Sequence, residues 1–497
     1  MKDKYSMISN MNNSIFKVAL ILLVFLAFSS SEAQESNNKP NIVFILADDF
    51  GYGSVNSYGA DKKLLRTPAI DQLSEAGMRF TNAHTPASIC SPTRYGFLTG
   101  RYPWRSSMKF GVVDPNGPLL PDPDRVTIAD ILKDQGYNTA AIGKWHLGYG
   151  NVQPCDFTGK LTPGPLDLGF DYHFAVPQNH GDYWGVYVEN DQIYGLRSKK
   201  EQPYSRTYYG PQYKGFDAPQ RVNKDVMEEL TDRSVNWLRK QSADTPFFLY
   251  FAAVAVHRPI TPSDYMRGIS DCGPYGDFIQ DVDLSVGRII EALKYMDLYD
   301  NTIIIFSSDN GGVVPNDKDD TPESQAIAHG LKINGDLKGR KHTIWEGGTR
   351  VPFIVTWPGM VEQDTESDEL VNIIDIFATV AEMTKGELTG DKNIAPDSFS
   401  FLPTLLNKKN NHPRTSMVTA DVKGMHAVRM GNWKFIDNTP PEGLPERRLK
   451  QFENEALQLY NLAEDPAELK NVIDQHPDKA KKLAAELEKI RKASSTR

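Results

Sequence analysis

Cysteine is scarce in this chain: three residues among 497, at positions 90, 155 and 272. So few exclude a disulfide-rich scaffold and a zinc site built on repeated Cys pairs. A net positive charge is also missing. The 64 acidic and 55 basic residues leave −9 at pH 7, which argues against nucleic acid as a partner. An anionic substrate stays open, because the local field of a cleft decides what binds there. The apolar run at residues 18–28 is too short for a comfortable membrane span. Lys2, Lys4 and Lys17 precede it and small residues follow up to Ala33, so residues 1–33 read as an export signal cleaved near Ala33. No cysteine stands at that junction, which disfavours a lipid anchor. The mature protein is expected to be periplasmic or secreted, with no stable membrane anchor.

The rest of the chain alternates between two periods. Residues 41–46, 137–142, 247–256, 302–306 and 351–357 are apolar runs rich in β-branched or aromatic residues, as in strands buried on both faces. Between them, Thr67-Pro68 and Thr127 open helical patterns stopped by Gly77 and Gly136, and Val282, Val286, Ile289 and Leu293 mark another helix. Strands alternating with helices predict an α/β fold, a large and mostly parallel sheet sandwiched by helices. The predicted catalytic domain spans residues 40–407. After a loop near 407–413 the pattern shifts to short strands, with a hairpin signal at Gly431-Asn432 and a charged amphipathic helix over 477–491. Residues 413–497 are therefore expected to form a small C-terminal α+β subdomain with an antiparallel sheet. Residues 183–224 are polar, aromatic and weakly periodic, and read as an insertion near the cleft.

The chemistry-bearing residues sit at the ends of the predicted strands. Asp48-Asp49 and Asp309-Asn310 each follow an apolar run directly, where ligands gather in open α/β sheets. Three carboxylates and an amide oxygen suit Ca²⁺ or Mg²⁺ better than zinc. Lys144 and His146 follow a third strand and His257 a fourth. A lysine there can hold an anionic oxygen, and an imidazole can exchange a proton near neutrality. Cys90 opens the run Cys90-Ser91-Pro92-Thr93-Arg94-Tyr95-Gly96-Phe97-Leu98-Thr99-Gly100-Arg101. A thiol at a helix N-terminus beside a cation reads first as an activated cysteine nucleophile. Thiolate, however, is a poor partner for a hard metal.

The Cys-x-Pro-x-Arg and Leu-Thr-Gly-Arg elements of that run resemble the signature of type I sulfatases, relatives of alkaline phosphatase. Gly143-Lys144-Trp145-His146 and Glu346-Gly347-Gly348 agree with it, over residues 40–403, and more loosely Trp433-Lys434 and Leu459-Tyr460-Asn461-Leu462. The resemblance implies that a maturation enzyme oxidises Cys90 to Cα-formylglycine (3-oxoalanine), whose hydrated form carries the attacking hydroxyl. It further implies that Asp48, Asp49, Asp309, Asn310 and residue 90 hold calcium, with magnesium as the alternative. Arg94 would fix the gem-diol or the sulfate, Lys144 and Lys341 the sulfate oxygens. His257 would protonate the leaving alcohol and His146 would take a proton in the second step. Lys338 competes with Lys341 for its role, and Arg101 is expected to support the loop around residue 90. Pro177-Gln178-Asn179-His180 departs from the family pattern, so Asn179 and His180 are read as sugar contacts; His84 and His329 are the remaining candidates. If Cys90 is converted, Cys155 and Cys272 remain as a pair that can bridge or stay free. The implied activity is hydrolysis of sulfate esters on sulfated polysaccharide or oligosaccharide fragments. The alternatives are a formylglycine-dependent phosphomonoester or phosphonate hydrolase, and a non-catalytic glycan-binding homologue.

Overall fold

A computed structural model describes residues 39–182, 184–204, 213–316, 319–386, 388, 393–441, 443–452 and 456–497. The export signal expected at 1–33 lies outside the described residues. Ten strands form the main sheet: β1 (Asn41–Ala47), β2 (Met78–Phe80), β3 (Asn138–Lys144), β4 (Tyr172–Val176), β5 (Val188–Glu189), β6 (Gln192–Ile193), β7 (Phe247–Ala252), β8 (Thr302–Ser308), β9 (Phe353–Thr356) and β10 (Thr365–Ser367). Their order is β10-β2-β9-β8-β1-β7-β3-β4-β5-β6. The five central strands, β8 to β4, run parallel. The antiparallel pairings lie toward the two edges, at β9 with β8 and β2 and at β5 with β4 and β6.

Alternation along β1 shows why the sheet is covered twice. Ile42, Phe44 and Leu46 enter one core, with side chains of α2 (Cys90–Thr99), α3 (Ile128–Asp134) and α6 (Asp375–Met383). Val43, Ile45 and Ala47 enter the other, with α1 (Pro68–Glu75), α4 (Val226–Leu238) and α5 (Pro274–Tyr295). Phe44 lies 4.4 Å from Phe97 of α2, ring centre to ring centre, and stacks on Tyr250 of β7 at 5.8 Å. Truncating such a buried ring costs about 3–5 kcal/mol, so this contact fixes α2 against the strand that carries Asp48 and Asp49. Helix starts follow their sequence signals. Thr127 caps α3 by accepting from Asp130 N, and the Asp130 carboxylate accepts from the Thr127 backbone in return.

Two expectations need correction. The apolar run 247–256 leaves the sheet at Ala252, because Ala255 O accepts from Asp48 N (2.9 Å) and Val256 N donates to Asp48 O (2.6 Å). The last residues of the run thus brace the Asp48 loop instead of extending β7. The 183–224 insertion is more regular than its composition suggests: it supplies β5 and β6 and an antiparallel pair, Ser198–Tyr204 with Tyr213–Asp217.

The C-terminal part forms a second sheet of four antiparallel strands, β11 (Ser416–Ala420), β12 (His426–Met430), β13 (Trp433–Asp437) and β14 (Gln458–Asn461), followed by the helix α7 (Pro477–Lys492). The β12–β13 hairpin turns at Gly431, whose φ of 55° suits glycine. Lys434 of β13 reaches back and pairs with Glu346 and Glu468, both at 2.9 Å. Among the described residues no helix is long and apolar enough to cross a membrane.

Buried histidines set a pH dependence of stability. His173 on β4 donates from Nδ1 to Ala141 O (3.1 Å) and accepts the Tyr149 hydroxyl at Nε2 (3.1 Å), a pairing that requires neutral imidazole. Burial lowers its pKa to about 3. Protonation is then easier in the unfolded chain, so this contribution is complete above pH 6.5 and is lost as pH falls toward 3. The stability loss caused by His173→Gln is expected to be largest at pH 7.5 and to shrink steadily on acidification, read by thermal melting. A loss that grows on acidification contradicts the assignment.

Candidate active site

Four parallel strands end on one side of the sheet, and their loops converge there. β1 delivers Asp48 and Asp49, β8 delivers Asp309 and Asn310, β3 ends in Lys144 and continues to His146, and β7 leads to His257. β3 can lie close to β7 because Gly143 has no side chain: a Cβ there would sit 1.8 Å from Ala252 O. The β1 and β8 loops are knitted together. Asp49 N donates to Asp309 Oδ1 (3.1 Å), Asn310 Nδ2 to Asp49 Oδ1 (2.8 Å), and Phe50 N to Ser308 Oγ (2.9 Å). Lys341 arrives on a loop pinned to β8, with its N–H on Gly312 O (3.0 Å), while Gly311 lies against Gly347 and would clash at 1.9 Å if it carried a Cβ.

Ligand atoms of Asp48, Asp49, Cys90 and Asp309 lie within 4.8 Å of one another, all buried. Asn310 Oδ1 is buried beside them with no hydrogen-bond partner. An oxygen-rich pocket with an unpartnered acceptor fits a hard divalent cation. Cationic side chains surround it. Lys144 Nζ lies 2.7 Å from Asp48 Oδ2, Lys341 Nζ 2.8 Å from Asp49 Oδ2, and Arg94 contacts Asp309 Oδ2 through Nε at 3.1 Å and Nη2 at 2.7 Å. Arg94 also donates to Lys144 O (2.8 Å), so its guanidinium ties α2 to two strand ends. Burial pushes Asp48 up to about 7, opposed by Lys144 and reinforced by Asp309 and Asp49. At Asp49 burial works in the same direction, but Lys341, His257 and Lys144 outweigh it and hold that carboxyl well below its usual range. A dication here would add positive charge beside Asp48, which burial and its neighbouring carboxylates disfavour as an anion.

Cys90 is the first residue of α2, as the sequence suggests, with Sγ 3.7 Å from Asp48 Oδ1. The activated thiolate does not follow. Burial pushes the thiol up to about 12, with Asp309 and Asp48 adding to the effect of burial and the two lysines opposing it. A helix N-terminus is too weak to overcome full desolvation beside carboxylates. No disulfide joins any of the three cysteines.

His146 has a positive φ of 57°, and both of its buried ring nitrogens lack partners. Burial, then Lys144, Arg94, His257 and Lys341, hold its pKa well below the usual histidine range. Ser91 Oγ donates to the His146 carbonyl (2.8 Å), an anchor that sequence reading missed. His257 donates from Nδ1 to Arg258 O (2.7 Å) and places Nε2 3.9 Å from Asp49 Oδ2. Burial and the lysines keep it neutral as well. His180 is fully buried, with Nε2 on Thr261 Oγ1 (2.7 Å), and its Nδ1 is unpartnered, as is Asn179 Oδ1. Beside them lies a buried Arg221–Asp182 pair at 2.9 Å, also unforeseen, since nothing in the sequence links residues so far apart.

The other candidates lie elsewhere. Lys338 donates to Glu468 O (3.0 Å) and Tyr460 OH (3.3 Å), toward the second sheet. His84 is buried on Glu346 at 2.9 Å, and His329 is exposed at the end of a short helix. Arg101 lies beyond the far end of α2 on the Tyr95 hydroxyl (3.0 Å), too distant to brace residue 90 directly.

Comparison with known proteins places the chain as a whole. The sulfatase family model matches residues 40–386, and a model described as N-sulphoglucosamine sulphohydrolase, C-terminal, matches residues 340–493. An N-acetylgalactosamine-6-O-sulfatase of Bacteroides thetaiotaomicron is 35% identical over 92% of this chain and 94% of its own length. Human arylsulfatase A is 31% identical over 87% and 83%. A solved structure from work on the metabolism of multiple glycosaminoglycans by Bacteroides thetaiotaomicron superposes with a TM-score of 0.81 at 34% identity, covering 92% of this chain and all of that one. With this match, and with the mostly parallel sheet that presents the converging carboxylates, the chain belongs to the sulfatase family and is a sulfuric ester hydrolase.

Proposed function

We propose that this enzyme removes sulfate from sulfated glycans outside the cytoplasm, with 6-sulfated N-acetylgalactosamine as the first candidate substrate. The observation that carries the substrate choice is the near full-length similarity to an N-acetylgalactosamine-6-O-sulfatase. The charged and apolar pattern of residues 1–33, read as an export signal, supports a periplasmic or secreted location.

In this reading, a maturation enzyme converts Cys90 to formylglycine, and Asp48, Asp49, Asp309 and Asn310 would hold Ca²⁺, with Mg²⁺ as the alternative. The hydrated aldehyde would supply the attacking oxygen, and a dication held there would supply positive charge beside the sulfate and the attacking hydroxyl. Lys144 and Lys341 bind the sulfate oxygens. Each ammonium has three donors and gives one to an aspartate here, so two remain for the ester. Their fixed charge stabilises the transition state without reorganisation. Arg94 keeps Asp309 aligned at the foot of the nucleophile helix. His257 presents Nε2 to the leaving alcohol, since Nδ1 is occupied by a backbone carbonyl. An incoming sulfate brings negative charge that favours the protonated imidazole needed for this donation. His146, with both nitrogens unpartnered, accepts the proton released in the second step. Asn179 and His180 contact the sugar.

The test is a rate comparison on N-acetylgalactosamine 6-sulfate, its 4-sulfate isomer, an aryl sulfate and the matched aryl phosphate. The 6-sulfate is expected to give the highest kcat/KM and the phosphate the lowest. Faster phosphate release overturns the sulfatase mechanism for this site; a preference for the 4-sulfate overturns only the substrate.

A further inference from the structure

A cavity of about 550 Å³ lies at the far end of α2, where the main sheet domain meets β12 and α7. The ten residues of α2 separate it from Cys90 by about 15 Å along the helix axis. Its walls include Arg101, Arg105, Lys109, Arg125 and Arg491, against one acidic lining residue, Glu488. That concentration is notable in a chain whose net charge is −9. Some of these cations are paired: Arg105 with Asp397 at 2.9 Å, and Arg491 with Asp437 at 2.7 Å and Glu488 at 2.6 Å. Arg101 and Arg125 meet no carboxylate among the described residues. Each makes one neutral hydrogen bond, Arg101 to Tyr95 OH (3.0 Å) and Arg125 to Asn393 O (3.2 Å).

Two more lining residues lean the same way. His426 accepts Arg491 at Nδ1 (3.2 and 3.0 Å), so its neutral ring carries the proton on Nε2, and that N–H is buried without a partner. Burial, Arg491 and Lys109 keep the ring neutral. Trp104 Nε1–H is a second buried donor without a partner. Both residues are more than nine-tenths buried, at 6% and 8% exposure. A pocket rich in cations and spare donors is complementary to a ligand made of anionic acceptors. Its volume is that of a small-molecule site and exceeds what a single oxyanion fills. A much smaller pocket, of about 10 Å³, shares Trp104 and Lys109 with it and is lined also by Ala87 and Pro92, which lie on either side of Cys90 in the sequence.

We infer that this cavity is a second, non-catalytic binding site for an anionic sugar of the glycan, which holds the chain while sulfate is removed at Cys90. Anchoring a polymer at a second point raises the effective concentration of its esters at the catalytic centre without changing the chemistry there. The choice of a sulfated glycan as occupant rests on the substrate reading above, but the two fail separately.

The test is isothermal titration of the full chain carrying Cys90→Ala with a chondroitin 6-sulfate tetrasaccharide, its desulfated counterpart and inorganic sulfate. The sulfated tetrasaccharide is expected to fill two sites per chain. Adding Arg101→Ala and Arg125→Ala is expected to weaken one of them by about tenfold or more, the scale of lost charge-assisted hydrogen bonds, and to leave the other unchanged. Arg125→Ala alone, at a side chain with a single neutral bond, provides the same readout if the double variant melts early. Retained binding of the desulfated sugar identifies the uronate carboxylate as the recognised group, and its loss identifies the sulfate ester. One site only, or two sites indifferent to both arginines in a folded protein, overturns the proposal. Equal binding of inorganic sulfate at the arginine-dependent site also overturns it, in favour of a free-oxyanion site. Turnover of the 6-sulfate without a second site sinks the pocket alone, whereas a second site without turnover sinks the substrate reading alone.

Discussion

Cys90→Ala is expected to reduce sulfate ester hydrolysis by roughly 10⁵-fold or more, the order associated with deleting a covalent nucleophile. Stability should change little. The side chain is small, it begins α2 where no side-chain cap is present, and its polar contact is a long one to Asp48 at 3.7 Å. The cost of losing it is about 1 kcal/mol, typical of a single substitution. Cys90→Ser should be almost as inactive unless the host oxidises serine, because an alcohol can release bound sulfate only through a fresh attack by water. Parallel kcat and melting measurements separate the two effects. A Cys90→Ala protein that retains more than a few per cent of the rate would remove residue 90 from the mechanism.

Withdrawal of a divalent cation is expected to have the second large effect. Asp48 pairs with Lys144, Asp49 with Lys341 and Asp309 with Arg94, and burial, with Asp309 and Asp49 nearby, pushes Asp48 up to about 7. Dialysis against a chelator is expected to abolish turnover and to lower the melting temperature, since an ion at 100 times its Kd stabilises a fold by about 2.7 kcal/mol. Calcium should restore both, and the magnesium titration decides between the two ions. Asp309→Ala should lose activity irrecoverably and cost about 3–5 kcal/mol besides, because it strands the buried Arg94 guanidinium. Full rates in protein shown to be free of metal by elemental analysis would contradict this part of the account.

Much of this site was legible in the sequence because strand ends are. An apolar run that stops at Asp48-Asp49 or Asp309-Asn310 marks both a buried parallel strand and the edge where ligands collect, and the register of β1 with β8 brings the two pairs together. The spacing of Lys341 to Glu346-Gly347-Gly348 separated it from Lys338 for a reason visible in space: Gly347 is packed on Gly311, which aims that loop at the carboxylates. Long-range partners were not legible. Ser308 bridging the two acidic loops, Ser91 holding the His146 carbonyl and Arg221 paired with Asp182 depend on how remote segments meet. The activated-thiolate reading, set aside in the sequence on its mismatch with a hard metal, also fails in the structure for an energetic reason. The helix N-terminus and cation at Cys90 are local and readable, whereas the desolvation and carboxylates that raise its pKa come from the tertiary fold.

The measurement closest to the central claim is mass spectrometry of the peptide carrying residue 90, made on the same preparation whose turnover is recorded. The account predicts an aldehyde at that position in active enzyme, with kcat proportional to the converted fraction across preparations made with and without the maturation enzyme. Full turnover from protein whose Cys90 is entirely thiol would contradict it.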